Sequence, residues 1–327
     1  MMELSRSDHP FIDSIETGDS FDGYFVLQNM NLALTQSNKP YLTFTFTDKT
    51  GYIKGKLWDD ADRAYKSLAT GKIVKIRGHA VEYQGRVELR VLRVRLAEEN
   101  AGDMTRFLPS LEADPAEYWD VIRETIFRMQ HQGLKKLLEN LLNDAEFVKS
   151  FESAPAGKRW HHGYIGGLLE HSTSLMNLVN LISDHYQELN KDLLIAGALL
   201  HDVGKIWELN YDTSIDYSVV GRLLGHITIG ADFVQRRAEE VDELDPETTT
   251  HLIHLILSHQ GSNENGTPIT PKTREAFILH YCDEIDSKMN AINRELQKDA
   301  SGAFTDYINL LDTMLYKGGG FEEDVNP

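Results

Sequence analysis

The sequence predicts a multidomain chain, with a small all-β barrel followed by an all-α helical domain. Three observations predict it. Apolar and polar side chains alternate with a period of two through residues 41–48 and 52–59 and the hairpin 72–96. Beyond residue 115 that period gives way to long apolar helical patterns, the first announced by Asp114-Pro115, a helix cap followed by proline. The charge balance also differs between the two parts. Gly23 to Ala97 holds 13 Lys and Arg against 6 Asp and Glu, although the 327-residue chain carries a net charge of −18.

The elements follow in order. FDGYFVLQNMNLAL opens the first strand. In YLTFTFTD, Leu42, Phe44 and Phe46 share one face and Thr43, Thr45 and Thr47 the other. Asp48-Lys49-Thr50-Gly51 is a turn, and YIKGKLWD alternates again. DDADRAYKSLA is helical, and KIVKIRGHAVEY and RVELRVLRVRL form a hairpin about Gln84-Gly85. Three strands, a helix and two strands is the element order of an OB-fold barrel. Helical patterns then cover 115–131, 133–152, 165–186, 191–202, 219–240, 247–259 and 271–297, the last capped at Thr270-Pro271. The expected organisation is a barrel over 1–97, a linker over 98–115, a helical domain over 116–315 and a disordered tail over 316–327.

Composition narrows the function classes. With 41% hydrophobic and 26% charged residues the chain reads as globular. No apolar run is long enough to span a bilayer, and MMELSRSDHPFIDS contains no apolar signal core. Cys282 is the single cysteine, which excludes an internal disulfide and fits a reducing compartment. The expected location is cytoplasmic. The acidic total argues against a protein that coats polyanions, since phosphates are bound chiefly by cationic side chains. Only the basic barrel suits them. A homo-oligomer is compatible with the apolar content, though no heptad or repeat specifies one.

Within the barrel, Ile53, Gly55 and Leu57 share one strand face and Lys54, Lys56 and Trp58 the other. Ammonium groups and an indole on one face suit a single nucleic-acid strand, phosphates on the lysines and a base on the ring. Lys39 before Tyr41, with Arg86 and Arg90, would extend that surface. The plainer reading makes Trp58 a core residue closing the barrel end and leaves the lysines solvated.

The helical part carries LLHDVGK at 199–205. His171, the His201-Asp202 pair, His226, His259 and Asp283 each come from a different helical segment. A single histidine on an apolar helix is more often a hydrogen-bonded core residue than a ligand. As a set, however, His171, His201-Asp202 and Asp283, with HDVGK in the HD-x-G-K form, resemble the HD-domain metal-dependent phosphohydrolase superfamily. HHGYIGGLLEH (161–171), LLIAGALLHDVGKIWEL (193–209), GHITIG (225–230) and the block 258–287 resemble in particular the YhaM-type 3′→5′ exoribonucleases, which join an N-terminal OB fold to an HD domain.

That resemblance implies two divalent metal ions, manganese first, with iron or another divalent ion as alternatives. One ion would be held by His171, His201, Asp202 and Asp283, the other by Asp202, His226 and His259. Such ions generate a nucleophile from water and offset charge at phosphorus. The implied reaction is stepwise release of nucleoside 5′-monophosphates from single-stranded RNA, with single-stranded DNA as a further substrate. Gln260 departs from the family, which often has a second histidine there.

Lys205 lies three residues after Asp202, so one helical turn puts both on one side, where the ammonium would face the scissile phosphate. Gly204 is expected to permit the tight turn that aims it. Weaker candidates for substrate contact are His161, His162 and Glu264, and Asp286 is an alternative to Asp283 as ligand. His185, His251, His254 and His280 read as structural or solvated. No G-x-S-x-G elbow or G-x-x-x-x-G-K-[ST] loop occurs. Two other functions stay open: an HD phosphohydrolase acting on nucleotides or cyclic dinucleotides, and a nucleic-acid-binding protein with a silent HD site.

Overall fold

A computed structural model describes residues 10–97, 106–158, 162–297 and 302–318. The chain divides into two compact units, residues 1–110 with 211–215, and residues 111–210 with 216–327.

In the first unit, strands β1 (Ser20–Leu34), β2 (Pro40–Asp48), β3 (Gly51–Leu57), β4 (Lys72–Tyr83) and β5 (Arg86–Leu96) close a barrel in the order β1-β2-β3-β5-β4. Helix α1 (Ala61–Ser67) lies between β3 and β4 in the chain. The alternation read from the sequence is the burial pattern, with Leu42, Phe44 and Phe46 on β2 inside together with Ile53, Gly55 and Leu57 on β3. β1 breaks it. Phe25, Val26 and Leu27 are all buried in succession, beside a register shift between Leu27 and Asn29. The irregularity bends the strand, so its first part pairs with β4 and its second with β2. Pairing between β3 and β5 is parallel and short, Gly55–Leu57 against Leu89–Val91.

In the second unit, α2 (Pro115–Phe127), α3 (Gln132–Leu142), α4 (Ala145–Ser153), α5 (Gly167–His185), α6 (Lys191–Leu200), α7 (Lys205–Glu208), α8 (Val219–Ala238), α9 (Pro246–Ser258) and α10 (Arg274–Leu296) follow, with a small pair β6 (Leu209–Asn210) and β7 (Asp216–Tyr217). Every residue of α6 from Leu193 to Leu200 is buried, and the helix packs against α3, α5, α9 and α10. A helix apolar all round is a core helix. No described helix is long and apolar enough to cross a membrane.

Two helix boundaries differ from the sequence reading. The pattern over 133–152 is two helices, because Asp144 caps α4 by accepting from the N–H groups of Glu146 and Phe147 at 3.1 and 3.2 Å. The last long helix begins at Arg274, because Thr273 rather than Thr270 supplies the cap, accepting from Ala276 N–H. Tyr316, placed in a disordered tail by the sequence, pairs with Phe304, while residues 319–327 lie outside the described residues.

The hydrogen bond from Phe147 and the pairing with Arg237 outweigh burial and hold the Asp144 carboxyl below its ordinary value of 3.8. Its contribution is therefore present above that value and is lost as pH falls through the depressed one. Asp144→Ala is expected to lower the stability of the helical unit by about 1 kcal/mol at neutral pH, with the difference shrinking in acid. Thermal melts of both proteins at about pH 7 and about pH 3 check this.

Candidate functional site

The ends and bends of five helices meet at one buried cluster. His171 comes from the second turn of α5, and His201 and Asp202 from the turn that ends α6. His259 is the C-cap of α9, and Asp283 and Asp286 lie one turn apart on α10. His226 follows a break in α8 at Gly225, whose φ of 73° is the left-handed conformation glycine permits. His171, His201, Asp202 and His259 are almost wholly buried.

The outer nitrogen of each imidazole is tied to an acceptor. His201 Nδ1 lies 2.9 Å from the carbonyl of Ala198 and His259 Nδ1 2.8 Å from that of Ile256. His226 Nδ1 lies 3.0 Å from Glu208 Oε1, and His171 Nδ1 2.7 Å from Asp286 Oδ2. Oxygen acceptors outside leave each Nδ1 protonated and turn each Nε2 lone pair inward, the arrangement of metal-ligating histidines.

All four Nε2 atoms converge on Asp202, and they divide between its oxygens. Oδ2 faces His201 at 3.4 Å and His171 at 3.7 Å. Oδ1 faces His226 at 3.3 Å and His259 at 3.6 Å. Asp283 Oδ1 joins the first group, 3.2 Å from His171 Nε2. Oδ1 of Asp202 is buried and accepts no hydrogen bond among the described residues. An orphaned carboxylate oxygen among inward lone pairs is costly to bury unless a cation completes it. The donor set, imidazole and carboxylate, fits a divalent transition metal on each side. His171-His201-Asp202 and Asp202-His226-His259 each place their ligating atoms within 4.8 Å of one another.

Electrostatics agree with a cation site. Burial would raise the carboxyl of Asp202, but the charges of Lys205 and His201 hold it well below its usual range. Asp283 is held low in the same way by His171 and His201. Burial would depress His171, yet its hydrogen bonds to Asp283 and Asp286 raise it to about 9, so without an ion its Nε2 holds a proton toward Asp283, which a bound metal would displace. His259, buried without a carboxylate bonded to its ring, falls to about 3 and stays neutral, as a ligand must.

Lys205 is buried with its Nζ 2.5 Å from Asp202 Oδ2. Its ammonium is thus inside the cluster, but the reason given for Gly204 is corrected. Gly204 has an ordinary helical φ of −62°. A Cβ there would lie 2.0 Å from the carbonyl oxygen of His226 and 2.7 Å from Gly230 N. Glycine is required because two backbones touch, not because the chain turns sharply.

Asp286 sits behind His171 rather than replacing Asp283. His162 is buried against the same pair, its Nε2 3.9 Å from Asp286 Oδ2. Burial and the charge of His171 push His162 down to about 3, so it brings no positive charge to a phosphate. His161 lies outside the described residues. Glu264 is exposed on the short turn Asn263–Asn265, and among the described residues no hydrogen bond or ion pair joins it to the cluster. Gln260 reaches His226 Nε2 at 3.4 Å. Glu208 was not singled out from the sequence.

The barrel presents a separate surface. Trp58 is 38% exposed and stacks on Tyr41, with centroids 4.7 Å apart, so it does not close the core. Lys54, Arg86 and Arg90 are exposed. Lys56 is less free than expected, since it bonds Glu88 at 2.8 Å and lies over the Tyr83 ring. Lys39 is held by Asp59 at 2.9 Å. Lys54 and Lys56 line a groove of about 360 Å³ with Asn29, Asn31, Thr43 and Thr45, polar residues that the sequence reading left aside.

Comparison with known families matches residues 168–288 to the HD domain and residues 27–97 to the OB-fold nucleic acid binding domain. The chain joins an OB fold to an HD domain. The HD domain supports a metal-dependent phosphohydrolase, in a chain that also carries an OB-fold nucleic-acid-binding domain. Among solved structures, 28% of the chain resembles 96% of a replication protein A domain from Methanococcus maripaludis at 20% identity, with a TM-score of 0.25. The same share resembles 70% of a chain of a replication protein A heterotrimer bound to single-stranded DNA, at 21% identity and a TM-score of 0.22. An asparaginyl-tRNA synthetase from Entamoeba histolytica, in complex with asparaginyl-adenylate, matches over 54% of this chain and 44% of its own at 14% identity, with a TM-score of 0.24. At these scores the likenesses bear on neither domain's function.

Proposed function

We propose that the protein is a metal-dependent 3′→5′ exoribonuclease that releases nucleoside 5′-monophosphates from single-stranded RNA. The observation that carries this reading is the division of Asp202. One carboxylate oxygen faces His171 and His201 and the other faces His226 and His259, in a chain that also holds a nucleic-acid-binding fold. Direction and product rest on the resemblance to YhaM-type enzymes.

Divalent ions bound there supply water activation and neutralise charge at the scissile phosphate. The chain's own residues set the stage. The carbonyls of Ala198 and Ile256 and the carboxylates of Glu208 and Asp286 fix the four imidazoles in one tautomer. Lys205 brings a buried ammonium beside Asp202, where it offsets charge growing on a phosphoryl oxygen. The barrel, tethered on the same chain, raises the local concentration of strand at the cluster.

The test uses metal-stripped full-length protein and 5′-labelled single-stranded RNA, with Mn, Mg, Fe or Zn restored in turn. A ladder shortening from the 3′ end with mononucleotide release, absent in Asp202→Ala, is expected. Absence of cleavage with every metal would sink the reading. Turnover of small nucleotides with no dependence on strand length would replace it with a nucleotide phosphohydrolase.

A further inference from the structure

One face of α10 is apolar and open along the helix. Phe277, Tyr281, Ile285 and Met289 recur every fourth residue and are 47%, 58%, 51% and 48% exposed. On a helix that spacing makes one continuous ridge. Asp283 and Asp286 leave the opposite side of the same helix and reach His171 in the cluster, so the ridge has no part in that site. Beyond α10 the chain pairs back on itself, Phe304 with Tyr316 and Ile308 with Thr313. Phe304, Tyr307, Leu310 and Met314 of this hairpin are each more than half exposed. A two-stranded hairpin with no apolar face packed on anything is marginally stable at best in water. The connection from Leu296 to Phe304 spans at most about 28 Å, so the hairpin lies within reach of the C-terminal end of the ridge.

These eight side chains are about half exposed, which leaves each with about 100 Å² still open and the chain with about 800 Å² of apolar surface to cover. Apolar patches on monomeric proteins rarely reach that size, and it is the share each partner gives to a stable interface of standard size. The ridge also complements itself. Rows spaced four residues apart interdigitate with their like at about −50°, the commonest helix packing in globular proteins. Glu284 and Lys288, ion-paired across one turn, flank the ridge beside Ile285. A second copy crossing antiparallel at Ile285 brings that pair back in reverse order, with Lys288 beside the partner's Glu284. A parallel copy would set like charges level with one another, which costs affinity.

We propose that α10 is a self-association surface, on which two copies of this chain cross antiparallel about a twofold axis near Ile285, with the C-terminal hairpins covering the edge of the contact. The contact is isologous, so each substitution on the ridge acts twice. Each copy's Asp283 and Asp286 point away from the axis, and pairing braces the helix that carries them.

The test is sedimentation velocity on the full chain, loaded at up to about 50 µM, above the weak end for an interface of this size. The proteins are wild type, Ile285→Glu, Ile285→Arg and Phe277→Glu. Both positions are exposed in the single chain, so each variant is expected to keep the far-ultraviolet circular dichroism of wild type. Wild type should sediment as a dimer. Ile285→Glu and Ile285→Arg each place like charges across the axis and should weaken association at least about 100-fold. Mixed in equal amounts they place opposite charges there, and the mixture should regain the dimer. Phe277→Glu, two turns along the same ridge, should weaken the dimer as well. Wild type that stays monomeric would overturn the proposal and leave the ridge to another occupant, the chain's own residues 319–327 or an unrelated protein. Dimers that persist in both Ile285 variants, or a mixture that stays monomeric, would overturn it too, since residue 285 would then not face its own counterpart.

Discussion

Asp202→Ala is expected to lose metal binding on both sides of the cluster at once. Its two oxygens face different histidine pairs, so one truncation removes a ligand from each. His226→Ala, which touches only the Oδ1 side, should retain an ion bound by His171, His201, Asp202 and Asp283. Metal content after exhaustive dialysis separates the two outcomes. Activity of Asp202→Ala should fall by much more than the roughly 10–100-fold that loss of an outer partner such as Glu208 costs. Retention of one tightly held ion by Asp202→Ala would show that the carboxylate does not serve both sides.

Gly204→Ala should be nearly as damaging, although alanine is at ease at a φ of −62°. The obstacle is the His226 carbonyl 2.0 Å from the new methyl position, and it belongs to backbone that no side-chain rotation can move. α7 and α8 must separate, carrying His226 away from Asp202. The expected loss is at the upper end of the ~1–3 kcal/mol typical of overpacking, or beyond it, with the His226 side of the cluster weakened first. A thermal melt combined with metal titration reads both effects. Wild-type values in both would mean that the two backbones can part freely.

Much of this was legible in the sequence, for identifiable reasons. β2 and β3 are buried on one face and wet on the other, and a period of two records that directly. The candidate ligand histidines stood out as a spaced set resembling a family pattern. What stayed hidden depends on partners distant in the chain. The bend in β1 arises from pairing with two neighbours, so Phe25-Val26-Leu27 gave no warning of it. Asp144 looked like one polar residue within a continuous helical period until its carboxylate was seen to cap α4. Lys56 read as a free cation because nothing local announces Glu88, thirty-two residues on. Glu208 looks like an ordinary helix charge and Asp286 like an alternative ligand, and only the imidazoles they hold reveal their role. Gly204 was noticed, but sequence offered a conformational reason where the actual one is contact between two segments.

The short parallel seam between β3 and β5 bears on the order in which the barrel is made. The other strand pairings are antiparallel and extend over more residues, while the seam joins only Gly55–Leu57 to Leu89–Val91. Bringing those segments together closes a loop containing α1 and β4, an entropic cost that precedes any gain from the contact. β5 is also the last barrel strand to leave the ribosome. The strand that seals the barrel is thus the one whose arrival closes it, and the β3 edge is left uncovered until then, before most of the helical domain has been synthesised.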